Sequence, residues 1–206
     1  MGFFSQKSKE QKFWEWFSKN EKEIFSFEKD QEKILDSISD NLSKYKNGLV
    51  FEISQVIDGK REFIISADGI AELFPHVEAI SKLAPHLERW TIIPFRPRLN
   101  DYASFQLRYA GKDLDPSKIW IYYHVEDGSF DLIVYHSEYS EEERNIFASA
   151  SYILLDMALG EYDVVKGIRY IDHQRTPENP TENGLKPFSE LRSFFDKYKN
   201  EYKYGK

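Results

Sequence analysis

The sequence contains no cysteine. That excludes disulfides, thiolate metal ligands and a cysteine nucleophile. It has no apolar run near the roughly 20 residues that a membrane-spanning helix needs. Its opening, MGFFSQKSKEQK, lacks the apolar stretch of about 7–15 residues that marks a secretory leader. Gly2 invites N-myristoylation, but Gln6 stands where that signal wants Ser or Thr. The expected location is therefore the cytoplasm, with no membrane partner. A basic excess is missing too, since the net charge is −7. Phosphate neutralisation drives generic nucleic-acid binding, so no nucleic-acid partner is expected. Glycine is scarce, with ten residues mostly in turn settings. No GxxxxGKS/T or GxGxxG loop is present to cradle phosphates, and no GxSxG elbow to present a serine. The five histidines show neither HxH nor HExxH spacing. No metal, no cofactor and no catalytic residue is expected.

What the sequence does have is aromatic surface. Sixteen Phe and thirteen Tyr are spread over 206 residues, and large rings build a core from few side chains. Charge is uneven. Residues 1–48 balance nine lysines against nine acids, whereas residues 49–139 carry nine basic and fourteen acidic groups. An acidic middle suits a basic protein partner.

The pattern predicts one α+β domain over residues 1–206, with a mainly antiparallel sheet of about five to seven strands packed by helices. Residues 1–48 form a helical segment in which Ile24, Phe27, Ile34, Leu35, Ile38 and Leu42 recur at three- and four-residue steps. Phe13, Trp14, Trp16 and Phe17 crowd its start and are expected to pack on the sheet. Residues 49–174 hold the sheet with its helices. Two hairpins turn at Asp58-Gly59 and Asp127-Gly128, the strongest short hairpin signal. Two-residue turns set Ile53 opposite Ile64, and His124 opposite Asp131. They place Ile119, Ile121, Tyr123, Val125, Phe130, Leu132 and Val134 on one face, and Trp120, Tyr122, His124, Asp131 and Tyr135 on the other. His124 and His136 then face opposite sides. Between the hairpins, Asp68 is a helix N-cap candidate, Pro75 kinks or restarts a helix, and strands run at 90–95 and near 103–109. A long helix covers 141–163 and a strand about 164–173. Residues 175–187 form a proline-rich linker, and residues 188–200 a final helix with Phe188, Leu191, Phe194, Phe195 and Tyr198 on one side.

The most site-like stretch is TIIPFRPR, residues 91–98. In an extended X-Pro-X segment, Arg96 and Arg98 point the same way and could grip a carboxylate or phosphate. They could equally serve the fold. Asp156 sits among apolar residues in YILLDMALG, and a buried carboxylate needs a partner. Glu161 and Asp163 follow Gly160, where the helix is expected to end. Acids oppose the dipole there and invite cations. The expectation is an ion pair between Arg96 or Arg98 and one of Asp156, Glu161 or Asp163, with Trp90 beside it and Asp68 as a further candidate for a ligand site. The segments FWEWF, FIISADGI, FRPR and LLDMALGEYD together resemble a bacterial family of uncharacterised proteins, over most of the chain. The resemblance implies no activity and no functional residue. The preferred reading is a non-catalytic protein- or ligand-binding module. The alternative is a hydrolase or transferase that anchors a small anionic substrate on Arg96 and Arg98.

Overall fold

Ser8 starts the first helix by a reciprocal cap: it accepts a hydrogen bond from the Gln11 amide at 3.3 Å, and the Gln11 side chain accepts one from the Ser8 amide at 2.9 Å. The computed structural model describes residues 7–202, so the reading of Gly2 and Gln6 falls outside them. The chain divides into two compact units, Met1–Phe95 and Arg96–Lys206. The fold is α+β and its strand pairs are mostly antiparallel.

In the first unit, α1 (Lys9–Phe25) and α2 (Gln31–Tyr45) are joined by a 3-10 turn at Phe27–Asp30. Gly48 ends the segment at φ +92°, and a Cβ there would sit 3.0 Å from Leu73 Cδ1. Then follow β1 (Val50–Ile53), β2 (Arg61–Ser66), α3 (Phe74–Lys82) and β3 (Trp90–Pro94). Pro75 lies in the first turn of α3, where its missing N–H costs nothing. The helical crossover makes β3 parallel to β2, in the order β1-β2-β3. Phe13, Trp14 and Phe17 of FWEWF pack on this sheet as expected, while Trp16 stays half-buried: the Phe17 ring lies 5.0 Å from Phe63 and 5.3 Å from Trp90. Phe63, Ile64 and Ile65 are consecutive and all buried, so β2 is covered on both faces.

The first hairpin corrects one expected register. Ile57 pairs with Lys60 around the two-residue turn, but Ile53 faces Phe63, not Ile64. Residues 54–56 oppose only residues 61–62, so one extra residue is accommodated and the strand beyond it slips by one. Buried Arg61 holds this irregularity. Its guanidinium donates to Ser54 O at 2.7 Å and Phe25 O at 2.9 Å, and pairs with Glu28, with the Phe27 ring 4.9 Å away. Arg61→Ala leaves two carbonyls without a donor. It is expected to lower the melting temperature by about 5 °C, measured by circular dichroism. Asp68 is also corrected. It is a turn residue at φ +52°, and Ile70 takes the cap position.

In the second unit, β4 (Leu107–Tyr109) and β5 (Lys112–Leu114) form a two-stranded ribbon. β6 (Trp120–Glu126), β7 (Ser129–His136), β8 (Ile168–Arg175) and β9 (Lys186–Pro187) form a sheet in the order β8-β7-β6-β9. Asp127 and Gly128 both have positive φ, the backbone that a tight hairpin turn requires. The expected register holds from Trp120↔Tyr135 to Glu126↔Ser129. Its inner residues Ile121, Phe130, Leu132 and Val134 are fully buried with Leu154 and Leu155 of α4 (Arg144–Leu159) and with Leu191 and Phe195 of α6 (Leu191–Tyr202). The strands therefore do not join into a single sheet of five to seven. The described strands divide into sheets of three, two and four.

Three boundaries also move. The long helix stops at Leu159, Gly160 adopts φ +82°, and α5 (Glu161–Gly167) begins. The following strand therefore starts at Ile168, parallel to β7. The proline-rich linker ends by contributing β9 to the sheet.

Candidate functional site

The two arginines of FRPR open the second unit, and the break in the long helix receives them. At Gly160 the backbones come close: an added Cβ would lie 3.4 Å from Arg96 O and 3.5 Å from Arg98 Cγ. The Glu161 amide donates to Arg96 O at 3.0 Å, and the Arg96 amide donates to Glu161 Oε2 at 3.1 Å. Arg96 Nη1 stands 3.6 Å from Asp156 Oδ2. Arg98 spends its whole fork: Nε donates to Leu159 O at 2.7 Å, Nη2 to Asp163 Oδ2 at 2.8 Å, and Nη1 to Asp196 Oδ1 at 2.7 Å. Burial alone would lower the pKa of Arg98, but its hydrogen bonds to Asp196 and Asp163 hold it above the ordinary value.

The expected ion pairs are thus present, though one reason for them changes. Glu161 and Asp163 do not trail off a helix C-terminus. They occupy the first turn of α5, where the dipole favours acids. The C-terminal carbonyls of α4 are the groups that draw cations. Arg98 takes Leu159 O, and Arg192 takes Ala158 O at 2.7 Å and Met157 O at 3.2 Å. Lys199 Nζ adds to Asp163 at 2.6 and 2.8 Å. The cluster that includes Asp196 and Lys199 is larger than the one read from residues 96–163. A signal was available: Arg192, Asp196 and Lys199 recur at four- and three-residue steps, a charged stripe beside the apolar one.

Arg96, Arg98, Asp156, Glu161 and Asp163 are brought together. Trp90 and Asp68 belong to the first unit and are engaged there. The Trp90 indole donates to Glu21 Oε1 at 2.9 Å, and the same carboxylate holds Arg89 at 2.7 Å. The Asp68 amide donates to Ser66 Oγ at 2.9 Å.

The histidines give a second constellation that spacing did not disclose. His136 on β7 and Ser151 on α4 are both buried, with Nε2 and Oγ 2.8 Å apart. The His173 ring stacks 6.3 Å from that of His136, and His173 Nε2 is buried without a hydrogen-bond partner. Burial, with His173 adding to it, pushes His136 down to about 4. Burial likewise lowers His173, and Arg144 adds to that. A serine this close to an imidazole has the contact of a nucleophile and its base. Yet Ser151 is only 1% exposed, so the pair serves as a core hydrogen bond. On the opposite face, His124 does face Asp131, but Arg169 takes that carboxylate at 2.9 and 2.5 Å. Among the described residues no group of three or more His, Asp or Glu is placed to hold a metal ion.

That opposite face is the third feature. Trp120, Tyr122 and His124 of β6, Asp131, Ile133 and Tyr135 of β7, and Tyr170 and Asp172 of β8 share it by register. Tyr122 is 42% and Tyr170 54% exposed. Tyr122 and Tyr135 lie on paired strands, and burial raises the Tyr135 phenol, with Tyr122 next in effect. Ion pairs edge the patch, Arg169 with Asp131 and Arg144 with Asp172 at 2.7 Å. No helix among the described residues is long and apolar enough to cross a membrane. No family model matches the chain, and neither a curated protein nor a solved structure does.

Proposed function

We propose that the protein is a non-catalytic binding module that engages a protein partner through the outer face of its four-stranded sheet. The observation that carries this reading is an aromatic cluster in which Tyr122 and Tyr170 are exposed and Trp120 and Tyr135 half-buried. A sheet needs only one buried face to be stable, and here the inner face meets α4 and α6. Rings on the other face contribute little to the core and much to an interface. Trp and Tyr dominate interface energetics because they bury large area at low entropic cost. The ion pairs around them supply a polar rim. A net charge of −7 favours a basic partner over an acidic one. The enzyme reading needs an arginine turned towards a ligand, whereas Arg98 directs its guanidinium at Asp163, Asp196 and Leu159 O.

The test is an affinity capture from native cell extract with wild-type protein and a Tyr122→Glu/Tyr170→Glu variant. Both positions are exposed, so the variant should melt within about 2 °C of wild type. The reading expects a reproducible partner on the wild type and at least about tenfold less on the variant, since losing two anchors costs more than 1.4 kcal/mol. Equal capture by both would overturn it.

A further inference from the structure

Independently of the sheet face, the geometry points to a small-molecule site in the first unit: the groove between α1 and α2, which we infer takes a single-chain amphiphile with an anionic head. The groove has a volume of about 360 Å³. That lies within the range of roughly 300–1,000 Å³ typical of small-ligand sites. Trp16, Ile24 and Ile34 supply its apolar lining. Trp16 is the odd member of its cluster, half-buried while Phe13, Trp14 and Phe17 are all sunk in the core. A tryptophan left on a groove wall offers an apolar body to whatever enters.

Charge selects the head group. Lys22, Lys29 and Lys33 line the groove against two acids, Glu23 and Asp30. Asp30 is already matched, at 3.7 Å, by Lys33. Lys22 and Lys29 make no ion pair among the described residues. Ammonium groups on the wall of a groove with an apolar lining suit a carboxylate or a phosphate monoester on a chain of moderate length. They disfavour a cationic head and gain nothing from a neutral one.

The experiment titrates decanoate, decyl phosphate, decanol and decyltrimethylammonium, all below micellar concentrations, into the full chain. Intrinsic fluorescence and melting temperature are followed together. The two anionic amphiphiles are expected to give a saturable fluorescence change and a rise in melting temperature. Their relative affinities say which head the lysines prefer. Decanol should bind at least about tenfold more weakly and decyltrimethylammonium should give no saturable response. Trp16→Phe should remove the fluorescence change. Lys22→Glu/Lys29→Glu, exposed positions that leave the fold intact, should weaken the anions at least about tenfold while the unliganded melting temperature stays put. No saturable response to either anion, an equal response to the cation, or undiminished binding by the lysine variant would each overturn the assignment.

Discussion

Acidification from neutral pH to pH 4 is expected to remove about 3 kcal/mol from the free energy of unfolding through His136 alone. The imidazole is 4% exposed and burial pushes it down to about 4, against about 6.5 in an unfolded chain. The folded state therefore keeps His136 neutral over a range in which the unfolded state binds a proton. Stability conferred by a depressed histidine is complete above the unfolded value. It falls as pH drops from about 6.5 towards 4. Among the described residues no carboxylate is paired with the ring to reverse the sign. Ser151 faces it from α4 and His173 from β8, while Lys112, Asp113, Asp115, Lys118 and Glu138 line the small cavity beside it. His173, also depressed by burial, acts in the same direction. Urea unfolding at several pH values measures the effect. His136→Gln should flatten the slope in that window, and an unchanged slope would show that His136 is not its source.

Arg98→Ala is expected to destabilise the protein by about 3 kcal/mol at neutral pH. Its side chain is 29% exposed and that of Asp163 10%, which places the pair between a surface bridge, worth under about 1 kcal/mol, and a fully buried one. Truncation removes three charge-assisted hydrogen bonds and leaves Leu159 O at a helix C-terminus without a donor. Arg98→Lys keeps the charge but cannot serve three acceptors at once, so about half the loss is expected. Asp163→Asn, which unmatches both Arg98 and Lys199, should be comparable to Arg98→Ala. If Arg98→Ala instead shifts stability by less than about 0.5 kcal/mol, the guanidinium is effectively solvated and its role as a ligand anchor reopens.

How much of this was legible in the sequence depended on whether the information was local. The second hairpin could be read in full, because Asp127-Gly128 dictates a tight turn and strict alternation then assigns both faces. The first hairpin has the same turn signal, yet the extra residue at 54–56 shifts its register beyond the turn. No residue type in that stretch announces a bulge. The partnership of Arg96 with Asp156 followed from the cost of burying a carboxylate among Leu, Ile and Met, whereas Asp163 was reached through an expected helix C-terminus that proves to be the first turn of α5. The share taken by Asp196 and Lys199 needed the docking of α6, which spacing alone does not reveal. The contact between His136 and His173 depends on β8 lying parallel to β7, a pairing set by the α4–α5 crossover. The expectation of a single sheet failed for the same reason: a strand pattern tells which face is buried but not which edges meet.

The claim that the tyrosine-bearing sheet face is the binding surface is tested most directly by photo-cross-linking from that face. Benzoylphenylalanine placed at Tyr170, 54% exposed on β8, is compared with the same group at Tyr152, 47% exposed on α4. In native extract, position 170 is predicted to form a discrete cross-linked species that Tyr122→Glu abolishes, and position 152 to form none. The same species in equal yield from both positions, or none from position 170, would contradict the account.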